Sequence, residues 1–227
     1  FCFAWPAANA LAAPDKTPTG FFFPMGNINY DIYPCAEWLT RDASHGGCYF
    51  PGKYHTGIDI QAGLNDPVYA ISDGVVTKLS TGGWGDGNVA ALIKHELDDG
   101  SEFIAVYGHI HSSVGVNDSV EGGQQIGTIG PWSNGIHLHF GIKDSPSLGG
   151  PYGMMPNSSW PNTNSFVDPI DWITTRSPAN GEPILPTAEM RYLDIRGVLD
   201  LDSENPVPPG ATDNRATFTY MLIQSIE

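Results

Sequence analysis

The stretch Ile136-His137-Leu138-His139-Phe140 carries two histidines two residues apart. Side chains alternate faces along a strand, so both imidazoles share one face and Ile136, Leu138 and Phe140 share the other. A second cluster lies upstream, at His55-Thr56-Gly57-Ile58-Asp59. Neutral imidazole is the commonest metal ligand near pH 7. Two imidazoles and one carboxylate are a usual zinc set when a fourth position stays open to water. Residues i and i+4 of an extended strand are about 13 Å apart, whereas zinc donors sit only about 2 Å from the metal. The chain must therefore bend between His55 and Asp59, and Gly57 makes a bend cheap. An i, i+4 helical pair is the alternative. Gly57, the β-branched Ile58 and Ile60, and Ala62-Gly63 argue against it.

The elements that would position these residues read as strands. Val68 to Ile71 and Gly74 to Leu79 are short strands joined at Ser72-Asp73-Gly74. Val89 to Glu96 and Glu102 to Ile110 form a hairpin across Leu97 to Ser101. Regular alternation in the second of these puts Phe103, Ala105, Tyr107 and His109 on one face. His95 reads as structural and His45 as a surface histidine. The glycine-rich loop Gly82 to Asn88 is not a phosphate cradle, because no Lys-Ser/Thr pair or helix follows it. A closing element is expected at Val167 to Trp172.

Composition narrows the class. The chain has 227 residues, 27 Gly and 19 Pro, with 15% charged residues, which favours a turn-rich β protein. The net charge of −15 argues against nucleic acid as a partner. No apolar run approaches the roughly 18 residues of a membrane span. We read five regions: 1–13 as the end of a secretory signal peptide, 14–44 as an extended lead-in, 45–173 as the main domain, 174–189 as a linker and 190–227 as a tail, part of a second β module. Export would make a Cys35–Cys48 disulfide plausible, with two free thiols as the alternative. Residues 144 to 165 form a long loop in which Tyr152, Met154 and Trp160 could line a cleft rim, with a plain surface insertion as the other reading.

Taken together, these motifs resemble the lysostaphin/LytM-type zinc endopeptidases of bacterial cell walls. The matching pieces are His55-Thr56-Gly57-Ile58-Asp59, Pro67 to Ala70, Asp73 to Val76, Tyr107-Gly108-His109, Gly127 to Gly130 and His137-Leu138-His139-Phe140. The resemblance implies an all-β fold, a mostly antiparallel core of the duplicated-hybrid-motif type with a groove and long loops. It implies Zn2+ held by His55, Asp59 and His139, with His109 and His137 as catalytic histidines beside a metal-bound water. It also implies a monomeric, secreted or periplasmic enzyme that acts on peptidoglycan peptides. Gly141 stands where many relatives carry Glu.

Peptide hydrolysis needs a nucleophile, a polarised carbonyl, a base and an oxyanion donor, and zinc can supply the first two. The chain has no His-Glu-x-x-His motif to supply a Glu base. His109 and His137 remain as candidates, with base and donor unassigned between them. Rings that act neutral would lose activity below about pH 6. The competing reading is a non-catalytic wall-binding or hydrolase-regulating protein of the same fold. A third is a sugar- or wall-binding β module with an incidental metal site.

Overall fold

The computed structural model describes residues 13–33, 36–39, 53–133, 135–156 and 165–181. The expectations for the signal segment up to residue 12, Cys35, Cys48, His45, Trp160 and the tail from 190 lie outside those residues. The fold is mostly antiparallel β, as expected. In chain order the elements are β1 Lys53–His55, β2 Ile58–Gln61, β3 Pro67–Tyr69, β4 Gly74–Ser80, β5 Val89–Glu96, β6 Glu102–Ser112, β7 Ser119–Val120, β8 Gln125–Ile129, β9 His137–Lys143, β10 Met154–Pro156, β11 Phe166–Val167 and α1 Pro169–Thr175.

Nine strands make one sheet whose main path runs β11-β9-β6-β5-β4-β7. Strand β9 is its pivot, pairing with β2, β6 and β11. Its His137 and His139 side chains face the site, whereas Leu138, Phe140 and Ile142 enter the main core with Tyr107, Ile110 and Val68. That alternation was legible in the two-histidine stretch. A second cluster, with Ile104, Val106, Leu92 and Trp84, packs on the other face of the sheet.

The lead-in is built into this core. Phe21 is fully buried, with its ring 5.9 Å from that of Phe103 and 5.8 Å from that of Trp172. Burying such a ring contributes roughly 2–3 kcal/mol. Helix α1 is the expected closing element. The Asp168 carboxylate caps it by accepting from the backbone N–H of Ile170 and Asp171, and Pro169 occupies its first turn. The start of the stretch read as linker also belongs to the fold. Thr174 and Thr175 are helical, and Pro178 pairs with Leu97.

One local rule fails where it matters. Tyr107 and Ile110 lie in the same core cluster although three residues separate them. The β5–β6 register runs Val89↔Ile110 and then Ala91↔Tyr107, so Gly108 and His109 together oppose Ala90. This is a β-bulge. His109 has φ 63°, in the left-handed region. The bulge turns His109 away from the Tyr107 face, so the face shared by Tyr107 and His109 in regular alternation does not exist.

Candidate active site

The site is assembled across three neighbouring strands. Asp59 on β2 is directly opposite His139 on β9, and His139 is opposite Gly108 on β6. His55 ends β1, and the chain turns between β1 and β2 at Thr56-Gly57. The expected bend is therefore present. Gly57 serves it by close approach, since a Cβ there would run into the Phe140 carbonyl.

His55, Asp59 and His139 converge. His55 Nε2 is 2.9 Å from His139 Nδ1 and 3.2 Å from Asp59 Oδ1, and His139 Nδ1 is 3.1 Å from the same oxygen. Donors held about 2.0–2.2 Å from a tetrahedral zinc would be about 3.3 Å apart. The triangle is close to that size. Among the described residues these three form the one group of metal-capable side chains of its kind. All three are buried.

The hydrogen bonds fix which nitrogen each ring presents. His55 Nδ1–H donates to the Glu37 carbonyl at 3.2 Å, and His139 Nε2–H donates to the Tyr152 carbonyl at 3.0 Å. The opposite nitrogens, His55 Nε2 and His139 Nδ1, are left with lone pairs pointing at each other and at a carboxylate. A cation between them would relieve that repulsion. The donor set and its spacing thus fit a zinc ion, and the carbonyl partners are of the kind that hold metal-binding histidines in one tautomer.

His109 and His137 flank this triangle with the same logic. His109 Nδ1–H donates to the Trp84 carbonyl at 2.8 Å, and His137 Nδ1–H to the Gly135 carbonyl at 2.9 Å. Their rings are 4.5 Å apart, and His137 Nε2 is 3.6 Å from Asp59 Oδ2. All five residues singled out by sequence therefore meet in one place. His95 lies apart from them, buried and bonded to Ser72 Oγ and the Asp73 carbonyl. His111 follows the bulge on β6 and is exposed.

Charge states follow from burial and neighbours. Burial pushes the Asp59 carboxyl up, but the imidazoles of His55 and His139 outweigh it and hold it well below the usual range. Burial pulls His55 down, and the Asp59 charge and hydrogen bond outweigh that, leaving it raised. His139 is lowered, chiefly by burial. His109 is lowered to about 4, by burial first and by His137 second. His109 therefore stays neutral well below the pH 6 expected from an ordinary imidazole.

Sequence reasoning missed the walls and the carbonyls. Trp84, in the glycine-rich loop, lies 5.2 Å from the His109 ring and 5.4 Å from the His139 ring. Trp132 lies 4.7 Å from His109, and Tyr33 5.8 Å from His137. A tryptophan bracketed by glycines between two strands was a usable signal for Trp84. The carbonyls of Glu37, Trp84, Gly135 and Tyr152 carry no side-chain signal at all. The 144–165 stretch holds part of this frame. Its β10 pairs with β1, placing Met154 opposite His55, and Thr56 N–H donates to the Gly153 carbonyl.

Comparison with known proteins gives one family match. Residues 53–150 match the profile of Peptidase family M23. Among solved structures, the lysostaphin catalytic domain from Staphylococcus simulans is 24% identical, with a TM-score of 0.42 over 65% of this chain and 94% of that one. A variant catalytic domain of the prophage-encoded M23 protein EnpA from Enterococcus faecalis is 23% identical, with a TM-score of 0.41 over 59% and 92%. A zinc-containing peptidase from Vibrio cholerae is 21% identical, with a TM-score of 0.40 over 58% and 38%.

Proposed function

The chain belongs to peptidase family M23 through residues 53–150, and from that premise we propose that it is a zinc-dependent endopeptidase that hydrolyses peptide bonds of bacterial peptidoglycan. The observation that carries this reading is the triangle of His55 Nε2, Asp59 Oδ1 and His139 Nδ1, with sides of 2.9 to 3.2 Å, flanked by two further histidines. A zinc ion bound there would polarise the scissile carbonyl and lower the pKa of a water. His55, Asp59 and His139 would hold it.

The protein's own groups cover the remaining needs. His109 has its Nδ1–H engaged by the Trp84 carbonyl, so Nε2 is the free basic nitrogen. Its lowered pKa keeps that nitrogen unprotonated at neutral pH. His109 thus suits the role of proton acceptor. His137 presents Nε2 on the Asp59 side of the site, at 3.6 Å from Oδ2. Protonated there, it would donate to the oxygen that gains charge as the carbonyl carbon becomes tetrahedral. Trp84 and Trp132 stand against these rings and limit water around them. A wall-binding or regulatory protein of this fold would need neither histidine, and both are retained. The substrate places the enzyme's work in the cell envelope or outside the cell.

The test is digestion of purified sacculi of both common cross-link types, glycyl bridges and direct D-alanyl-diaminopimelate links. Zinc-loaded protein and a chelated sample are run in parallel, and fragments are read by mass spectrometry. New peptide termini that appear only with zinc are expected. Folded, zinc-loaded protein that releases nothing would turn the reading to the non-catalytic alternative.

A further inference from the structure

Residues 31–33 and 36–39 precede the family-matched stretch, yet this segment touches three of the five site residues. Its backbone runs along the free side of β2. Gln61 N–H donates to the Asp31 carbonyl, Tyr33 N–H to the Asp59 carbonyl, and Asp59 N–H to the Ala36 carbonyl. Ile32 pairs antiparallel with Ile60. At its far end, Leu39 N–H donates to the His55 carbonyl. The Glu37 carbonyl takes the ring proton of His55. The Tyr33 ring meets His137 edge-on at 5.8 Å.

We infer that residues 31–33 and 36–39 are a working part of the metal centre, with the Glu37 carbonyl as the positioning group that keeps His55 Nε2 aimed at Asp59 and His139. This rests on the metal-dependent reading above. The reasoning is elementary. A histidine can turn either nitrogen toward a metal, and the hydrogen bond at the other nitrogen decides which. On β9 the ligand His139 has its partner at Tyr152, in the loop that follows its own strand. The His55 ring proton goes instead to a carbonyl 18 residues upstream. The same segment clamps the backbone of Asp59 from both sides, through its N–H and its C=O. Ligand geometry on β1 and β2 is thus set from outside the matched domain. The lead-in is no removable cover. Metal affinity is a property of the segment and the domain together.

The experiment uses the full chain. Trp38 is replaced by its α-hydroxy analogue through nonsense suppression, which keeps the indole and turns the Glu37 carbonyl into an ester carbonyl, a weaker acceptor. A control ester is placed at Val116, where it weakens the Gly115 carbonyl that accepts from Asp118 N–H in an exposed turn. Zinc affinity is read by competition with a chromophoric chelator. Loss of an outer hydrogen-bond partner of a ligand costs roughly 10–100-fold in metal affinity. A drop of about tenfold or more at position 38, with the control unchanged, is expected. Equal affinities for the position-38 ester, the control and the unmodified protein would overturn the inference. Failure of the unmodified protein to bind zinc would instead overturn the metal-dependent reading itself. A second measurement needs no variant. In the zinc-loaded unmodified protein, nitrogen-15 spectra of the ring should show His55 with a slowly exchanging Nδ1–H and the metal on Nε2. The opposite tautomer, or a rapidly exchanging Nδ1–H, would overturn the inference even if the ester protein does not fold.

Discussion

His55 Nε2 and His139 Nδ1 stand 2.9 Å apart although 84 residues separate them in the chain. Each ring has its other nitrogen tied to a backbone carbonyl, so neither can rotate its proton into the gap without breaking a bond. With the Asp59 pKa lowered beside them, the metal-dependent reading has a cation seated among the three groups. Zinc should therefore stabilise the fold directly. Ligand at about a thousand times its dissociation constant adds about 4 kcal/mol. Thermal unfolding should show a clear upward shift with zinc, reversed by chelator and abolished in His139→Ala. A melting temperature indifferent to zinc would sink the assignment of these ligands.

The left-handed backbone at His109 yields a prediction about the order of two variants. A non-glycine residue at φ 63° carries strain of roughly 1–3 kcal/mol. His109→Ala keeps the strain and loses the ring, whereas His109→Gly loses both. The glycine variant should be the more stable of the two by about 1 kcal/mol in urea unfolding. That reverses the order expected in a regular strand. Both should lose about 100- to 10,000-fold in turnover, the usual worth of a positioned acid or base. An alanine variant more stable than the glycine variant would show that the bulge is unstrained.

The same bulge marks the limit of what the sequence discloses. Strand alternation sufficed for His137 and His139, because β9 is regular and its partner face is apolar. It failed at His109, where parity assigns the ring to the Tyr107 face. Nothing in Tyr107-Gly108-His109 announces a left-handed histidine, although the glycine beside it was a hint. The bend between His55 and Asp59 was deducible from reach alone. The four carbonyls that fix the imidazole tautomers were not, because every residue has one and only the fold selects among them. Likewise, Asp31, Tyr33 and Ala36 reached the site through backbone pairing on β2, which leaves no mark in side-chain pattern.

His95 gives a pH prediction independent of the metal. It is buried against Phe103, with ring centroids 5.1 Å apart, and bonded through Nδ1 to the Asp73 carbonyl and Ser72 Oγ. Its Nε2 is buried with no hydrogen-bond partner among the described residues. Burial lowers its pKa to about 4, against an ordinary 6.5, and the hydrogen bond to the Asp73 carbonyl only partly opposes this. The unfolded chain thus takes up the proton first as pH falls. The contribution of neutral His95 is complete above about pH 6.5 and is lost as pH falls through about 4. The full loss is about 3 kcal/mol. In metal-free protein between pH 7 and 4, His95 adds this slope to that of His109, and His95→Gln should reduce the total by that share. A slope unchanged in that variant would move its origin to other groups.

Gly108 tests how closely the site is packed under Trp84. It lies opposite His139, and an added Cβ would sit 2.7 Å from Trp84 Cε3 and 3.0 Å from His139 Cβ. Real carbon atoms do not approach that closely, so Gly108→Ala must push the indole aside. The Trp84 carbonyl accepts the His109 ring proton and also a bond from Asn88 Nδ2 at 3.1 Å. Displacing the indole therefore disturbs the partner of His109 while leaving the donors of His55 and Asp59 where they are. Overpacking of this kind costs about 1–3 kcal/mol. The variant should bind zinc within a few-fold of the unmodified protein, lose stability by that amount, and fall at least tenfold in turnover. Its tryptophan emission should shift as Trp84, 7% exposed in the unmodified protein, meets water. Unchanged emission together with full turnover would mean that the Trp84 loop moves freely, and that the His109 tautomer is set by something other than the Trp84 carbonyl.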